Sequence, residues 1–263
     1  MRRSIPGLRA LVTGASGGLG RAIAIELARQ GANVMLLARR ENELRKVADE
    51  ISKLGGSAGR VEIFVGDVTS PTARSAVLEA TKAAFGGLDL LVNNAGAGAI
   101  GRFEAADADR LRKIFELNFF AAAELTREAL PFLKAGRAPM IVNIGSILGH
   151  RATPQNSEYC ASKFALRGLS EALRVELQPL GIDLLLVTPG PTGTDFWDHL
   201  VDRQGEIPWT TRMAMPPERV AAKVVRAITR GQRELIPSFR AGLFVRFSRH
   251  FPKLLDRIMR RYA

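Results

Sequence analysis

Tyr159 and Lys163 stand four residues apart in Tyr159-Cys160-Ala161-Ser162-Lys163, inside a stretch patterned as a helix, and Ser146 follows an apolar run upstream. One helical turn brings phenol and ammonium to the same face, where the cation can favour the phenolate and make a tyrosine usable as acid and base. A tyrosine with its ordinary pKa of about 10 exchanges protons poorly near neutrality. The same spacing also describes a half-buried ring beside a solvated lysine, so the pair gains weight only from its surroundings.

Those surroundings include a turn suited to phosphate. Thr13-Gly14-Ala15-Ser16-Gly17-Gly18-Leu19-Gly20 follows an apolar run and leads into the helical pattern of Arg21 to Gln30. Glycines there let the backbone approach a pyrophosphate, and the helix start offers free N–H groups and the positive end of a dipole. The spacing is G-x-x-x-G-x-G, which departs from the general dinucleotide fingerprint G-x-G-x-x-G. In dinucleotide folds an acidic residue ending the second strand bonds the ribose 2′-hydroxyl and repels a 2′-phosphate. Here that strand ends in Ala38-Arg39-Arg40. Arg39 offers a planar fork for phosphate and Arg40 a second cation, which predicts NADP(H) over NAD(H) as cofactor; solvated arginines opening the next helix are the alternative.

Three further placements agree with a bound dinucleotide, although each also reads as an ordinary turn or cap. Asp67-Val68 follows the third apolar run, where the aspartate can accept from an adenine amine. Asn93-Asn94-Ala95-Gly96 follows the fourth, and its small residues leave room at the edge where ligands lie. Pro189-Gly190-Pro191-Thr192-Gly193-Thr194 follows the sixth and can turn the chain over a nicotinamide, with Thr194 bonding its amide or a phosphate.

The elements that must carry these residues are written in the hydrophobic pattern. Short apolar runs at 10–13, 34–38, 61–65, 88–92, 140–144 and 184–187 alternate with amphipathic segments such as Leu166, Leu169, Leu173 and Leu177. This predicts an α/β, doubly wound parallel sheet with helices on both faces. The 263 residues, 46% of them hydrophobic, fit one domain spanning 1–263, without linker or repeat. A single cysteine, Cys160, and no long apolar run near Met1 lead us to expect a reducing, cytoplasmic setting without a signal peptide. The net charge of +12 is spread through helices without a long basic, aromatic-laced tract, which favours anionic small molecules over nucleic acid as partners.

Two late segments complete the organisation. The irregular stretch 192–217 is a candidate substrate lid. Ile147, Leu148, Phe196, Trp197, Leu200, Trp209 and Met213 would line an apolar pocket for a lipophilic carbonyl or alcohol. The tail 240–263 alternates apolar and basic residues, with Pro252 separating two short helices. Packing or subunit contact is its first reading, and peripheral contact with an anionic membrane its second.

Together the Thr13 to Gly20 turn, Asn93-Asn94-Ala95-Gly96, Asn118, Ser146, Tyr159-x-x-x-Lys163 and Pro189-Gly190 resemble the short-chain dehydrogenase/reductase family in order and spacing, over about residues 8 to 195. The resemblance implies a Rossmann-type seven-stranded sheet of order 3-2-1-4-5-6-7 and a catalytic tetrad of Asn118, Ser146, Tyr159 and Lys163. In that family's terms Tyr159 donates or removes the proton while hydride moves to or from the nicotinamide. Ser146 holds the substrate oxygen, and Lys163 lowers the tyrosine pKa and binds the nicotinamide ribose. Asn118, in a helix read as Asp107 to Leu133, anchors a water that links the lysine to solvent. It also implies a homodimer or homotetramer formed through 107–133 and 158–180. The G-x-S-x-G nucleophile elbow is absent, and His150 reads as a rim residue rather than a base. Every tetrad position is filled, which ranks an NADP(H)-dependent carbonyl reductase or alcohol dehydrogenase above a non-catalytic NADP-binding regulator or a membrane-surface scaffold.

Overall fold

Strands form where the apolar runs lie, because a parallel sheet covered on both faces must be hydrophobic on both. In the computed structural model, which describes residues 3–56, 58–198, 200–204 and 214–262, the strands are β1 (Arg9–Thr13), β2 (Asn33–Ala38), β3 (Val61–Val65), β4 (Leu90–Asn93), β5 (Met140–Ile144), β6 (Asp183–Val187) and β7 (Glu234–Leu235). They pair in parallel in the order 3-2-1-4-5-6-7. The order reverses between β1 and β4, and the crevice outside the carboxyl ends of the strands opens there. The edge strand β7 has two residues, one of them the exposed Glu234, so it carries no apolar run to be read.

Helices α1 (Gly18–Arg29), α2 (Glu41–Ser52), α3 (Pro71–Phe85), α4 (Ala108–Phe115), α5 (Ala121–Lys134), α6 (Ser157–Glu176) and α7 (Pro217–Arg230) cover the sheet. Alternate residues of one strand serve opposite faces. Ala10 and Val12 pack with Ile23 and Leu27 of α1 and Val220, Val224 and Ile228 of α7, while Leu11 packs with Val77 of α3 and Leu125 and Leu133 of α5. Truncating one of these buried leucines to alanine costs about 2–5 kcal/mol.

The stretch expected as one helix from Asp107 to Leu133 is instead α4, a π-helical turn at Glu116–Phe120 and α5. Asp107 caps α4 by accepting from the Arg110 amide at 2.7 Å. Asn118 lies inside the π turn, an irregularity that re-aims a side chain without ending the helix.

Two short strands outside the main sheet, Ala99–Ile100 and Asp202–Arg203, pair in parallel. They tie the loop after β4 to the segment after β6. The two described ends of 192–217 also meet, since Gly193 donates to the Met215 carbonyl at 3.0 Å and the Met215 amide donates to the Pro191 carbonyl at 2.9 Å. Trp209 and Met213, and with them the middle of the candidate lid, lie outside the described residues. After β7 come α8 (Phe239–His250) and α9 (Pro252–Met259), with Ser238 capping α8 and Pro252 opening α9.

Candidate active site

The turn between β1 and α1 is shaped by what its glycines leave out. Gly14 has φ +65°, and a methyl group on it would meet the Asn94 amide nitrogen at 2.9 Å. A methyl on Gly20 would strike the Gly14 carbonyl oxygen at 2.3 Å, so this glycine lets α1 seat directly on the turn. No acidic side chain stands in the first turn of α1 and no side chain caps it. The helix start thus brings no carboxylate of its own to an anion, and the carboxylate near it is that of Asp195, 3.7 Å from where a methyl on Gly18 would sit.

Thr13, the last residue of β1, locks this turn to the neighbouring loop. Its Oγ1 accepts from the amides of Asn94 and Ala95, each at 2.9 Å, while Asn94 Nδ2 donates back to the Thr13 carbonyl at 2.9 Å. Asn93, in contrast, turns into the core and donates to Thr126 Oγ1 and Asn143 Oδ1, each at 2.9 Å.

At the far end of β5 and the start of α6 the chemistry-bearing side chains converge. Ser146, Tyr159 and Lys163 are all buried and border one cleft with the glycine turn, and a hydrogen bond joins Ser146 to Tyr159. Lys163 Nζ donates to the Ile144 carbonyl at 2.9 Å and lies 5.7 Å from the centre of the Tyr159 ring. A methyl at Gly96 would come within 3.6 Å of that amine, so the bare backbone there preserves space beside it. Phe196 and Trp197 flank the Tyr159 ring at centroid distances of 5.7 and 6.1 Å. Ser146 Oγ also accepts from the Leu148 amide at 3.1 Å.

The electrostatics differ from the expected lowering of the tyrosine pKa. Burial pushes the Tyr159 phenol above its ordinary value, and the hydrogen bond with Ser146 offsets this only in part. Burial also pushes the Lys163 ammonium down to about 8. Both shifts disfavour the charged form, because a dry site withholds hydration from phenolate and ammonium alike. The amine is directed to a backbone carbonyl.

Asn118 does not border the cleft but sits directly behind it. Its Nδ2 donates to the Ala97 carbonyl at 2.9 Å and to Ser162 Oγ at 3.0 Å, and its Oδ1 accepts from the Ala97 amide at 2.8 Å. Ser162 Oγ in turn donates to the Tyr159 carbonyl at 2.8 Å. Both amide hydrogens are thus used within the protein, and the side chain clamps the loop after β4 to the helix of Tyr159 and Lys163.

Of the other residues expected to hold a dinucleotide, Gly20 alone stands behind the wall. Gly14, Ser16, Gly17, Gly18, Leu19, Arg39, Arg40, Asp67, Val68, Asn94, Ala95, Gly96, Pro189, Gly190, Thr192 and Thr194 border the cleft, whose volume is about 910 Å³. Arg39 lies 3.7 Å from Asp67, and Arg40 donates to Ser16 Oγ at 3.3 Å. The residues present fit a nicotinamide dinucleotide: a cradle that side chains would fill, cations at one end and the tyrosine and lysine at the other.

On the substrate side, Ile147, Leu148, Phe196 and Trp197 border the cleft, and Leu200 rests on Gly98 beside the two rings. His150 is not a rim residue. Its side chain is buried and lies 3.2 Å from Glu234 of β7, whose carboxyl it holds below the usual range.

Two features were not legible in the pattern. Arg110 of α4 and Glu158 of α6 form a buried ion pair at 2.7 Å, and Arg110 also meets Asp202 at 3.1 Å. Phe244, Leu255, Ile258 and Met259 of the tail form part of the cleft wall. Neither leaves a local signal, since a paired arginine and a solvated one look alike in a sequence.

Comparison with known proteins agrees with this geometry. Residues 9–205 match the family described as short chain dehydrogenase. The chain belongs to that family. As a short-chain dehydrogenase it is an oxidoreductase, and its relatives include a Xenopus laevis protein named hydroxysteroid 11-beta-dehydrogenase 1-like protein B, 36% identical over 98% of this chain and 87% of the relative. A short-chain dehydrogenase/reductase from Burkholderia phymatum, solved in complex with NAD, superposes with a TM-score of 0.84 at 25% identity, covering 96% of each chain. Another, from Burkholderia cenocepacia J2315 in complex with NADP, gives 0.77 at 31% identity, covering 89% of this chain and 97% of that one. The seven-stranded order matches the short-chain dehydrogenase architecture. The family match ends before α7, so α7, α8 and α9 lie beyond it.

Proposed function

We propose that this short-chain dehydrogenase is an NADP(H)-dependent oxidoreductase acting on the carbonyl or secondary alcohol of a lipophilic small molecule. The observation that carries the reading is the meeting of Tyr159, Ser146 and Lys163 in one cleft with the glycine turn. When bound along that turn, the dinucleotide supplies a hydride donor, or in the reverse direction an acceptor.

The chain's own residues do the rest. Tyr159, held as the neutral phenol, donates its proton to the substrate oxygen as negative charge develops there. Ser146 donates a hydrogen bond to the same oxygen and so stabilises that charge. Lys163 lies near enough to steady the phenolate left behind, and its amine is held in place by the Ile144 carbonyl. Asn118, through Ala97 and Ser162, keeps the loop after β4 and the Tyr159 helix in register.

The cofactor preference rests on Arg39 and Arg40, which border the cleft at the end of β2; that segment supplies no carboxylate of its own, and Asp67, after β3, lies 3.7 Å from Arg39. The substrate class rests on Ile147, Leu148, Phe196 and Trp197, and the relative named for hydroxysteroid dehydrogenation supports it. Exposed Phe120 of the π turn and Phe164 and Val175 of α6 are available for self-association, so light scattering on the purified protein should give a dimer or tetramer. A screen of NADPH oxidation against ketones and aldehydes of increasing chain length tests the function. Turnover that grows with apolar size supports it, and none across the panel refutes it.

A further inference from the structure

We infer that the α8–α9 hairpin docks on an anionic lipid surface and that lipophilic substrate enters the cleft from that surface. The second half rests on the function proposed above; the docking does not. In α8, Phe239, Leu243 and Phe247 are 87, 58 and 37% exposed, and their four-residue spacing places them on one face. Phe251 stacks on Phe247 at 4.8 Å, and Leu254 and Ile258 of α9 continue the exposed apolar surface. Six large apolar side chains therefore meet solvent within two short helices.

The charge around them narrows what can cover them. Residues 239–261 hold seven Lys and Arg against one carboxylate, Asp256, which pairs with Arg151. Arginines interleaved with exposed apolar groups match the headgroup layer, where long stems stay in the apolar zone while the cations reach lipid phosphate. A second copy docked through the same hairpin would set this basic surface against itself, since a two-fold contact repeats the same patch on both subunits. Among the described residues no helix is long and apolar enough to cross a membrane, so the contact is with its surface. The inner side of the same hairpin, through Phe244, Leu255 and Met259, borders the cleft. Ile258, 45% exposed, is also part of the cleft wall. One layer of side chains thus separates the lipid-facing surface from the cleft that Tyr159 also borders.

Flotation of the full-length protein with vesicles tests the docking without any need for turnover. On vesicles of equal parts phosphatidylcholine and phosphatidylglycerol the bound fraction should exceed that on pure phosphatidylcholine roughly tenfold, and should fall as salt is raised. The triple variant Phe239→Ser, Leu243→Ser, Phe247→Ser changes exposed positions and should lose binding while reducing a short, water-soluble aldehyde at the wild-type rate. Equal partition into both vesicle types, or undiminished flotation of the variant, overturns the inference. So does a wild-type dimer that the variant dissolves into monomers. If flotation holds but a long-chain ketone in the same vesicles is reduced equally well by the variant, substrate entry from the surface is overturned.

Discussion

Arg110 and Glu158 lie 48 positions apart and form an ion pair in which both side chains are 2% exposed, with Nη2 to Oε1 at 2.7 Å and Nε to Oε1 at 2.9 Å. The pair fastens α4 to the first turn of α6, immediately before Tyr159. Arg110→Met leaves the Glu158 carboxylate buried without its partner and should destabilise the protein by about 3–5 kcal/mol, read by urea unfolding. The double variant Arg110→Met, Glu158→Gln should recover much of that loss. If the single variant is as stable as wild type, the pair does not hold these helices.

Tyr159→Phe deletes one oxygen and keeps the ring against Phe196 and Trp197. Turnover should fall by about a thousandfold or more with NADPH affinity nearly unchanged. Fluorescence titration of NADPH and steady-state kinetics check the two halves separately. Turnover above a tenth of wild type would assign the proton to another group.

Arg39→Ala and Arg40→Ala probe the cofactor preference. Each removes a cation from the end of β2, and together they should weaken NADPH binding by roughly tenfold to a hundredfold while NADH binding changes little. Dissociation constants for both dinucleotides, measured on each variant, give the answer. Equal losses for NADPH and NADH would place these arginines away from a 2′-phosphate.

Lys163 makes stability depend on pH in a predictable sense. Burial lowers its pKa from 10.5 to about 8, so between those values the unfolded chain binds a proton that the folded chain lacks. Folding stability from this group therefore rises with pH across that window and is flat below about 8. Lys163→Met removes the contribution. The stability difference, wild type minus variant, should climb from pH 8 toward 10.5 in cofactor-free protein, measured by denaturant titration at fixed ionic strength. A difference that is level or declining would show that the amine is hydrated in the fold.

Much of the architecture was readable because its causes are local. Six apolar runs became strands within one or two residues of their sequence limits, since burial on both faces demands continuous hydrophobicity. The helix expected from Asp107 to Leu133 hid a π turn, because the same hydrophobic period serves both backbones and only contacts such as Asn118 with Ala97 and Ser162 favour the wider turn. His150 read as a rim residue because nothing near it in the chain announces Glu234 of β7.

What the chain alone determined is therefore its repertoire: where strands and helices form, a glycine turn able to approach phosphate, and a phenol and amine one helical turn apart. Tertiary structure decided how those groups behave. Burial reversed the expected direction of the Tyr159 pKa, because desolvation depends on which surfaces close over the ring and not on its neighbours in sequence. Likewise the tail's pattern of apolar and basic residues specified two helices without saying which side would face inward. Packing against the cleft turned Phe244 and Leu255 to the site and left Phe239 and Leu243 in solvent, since each face of a helix acquires its role only from what it meets.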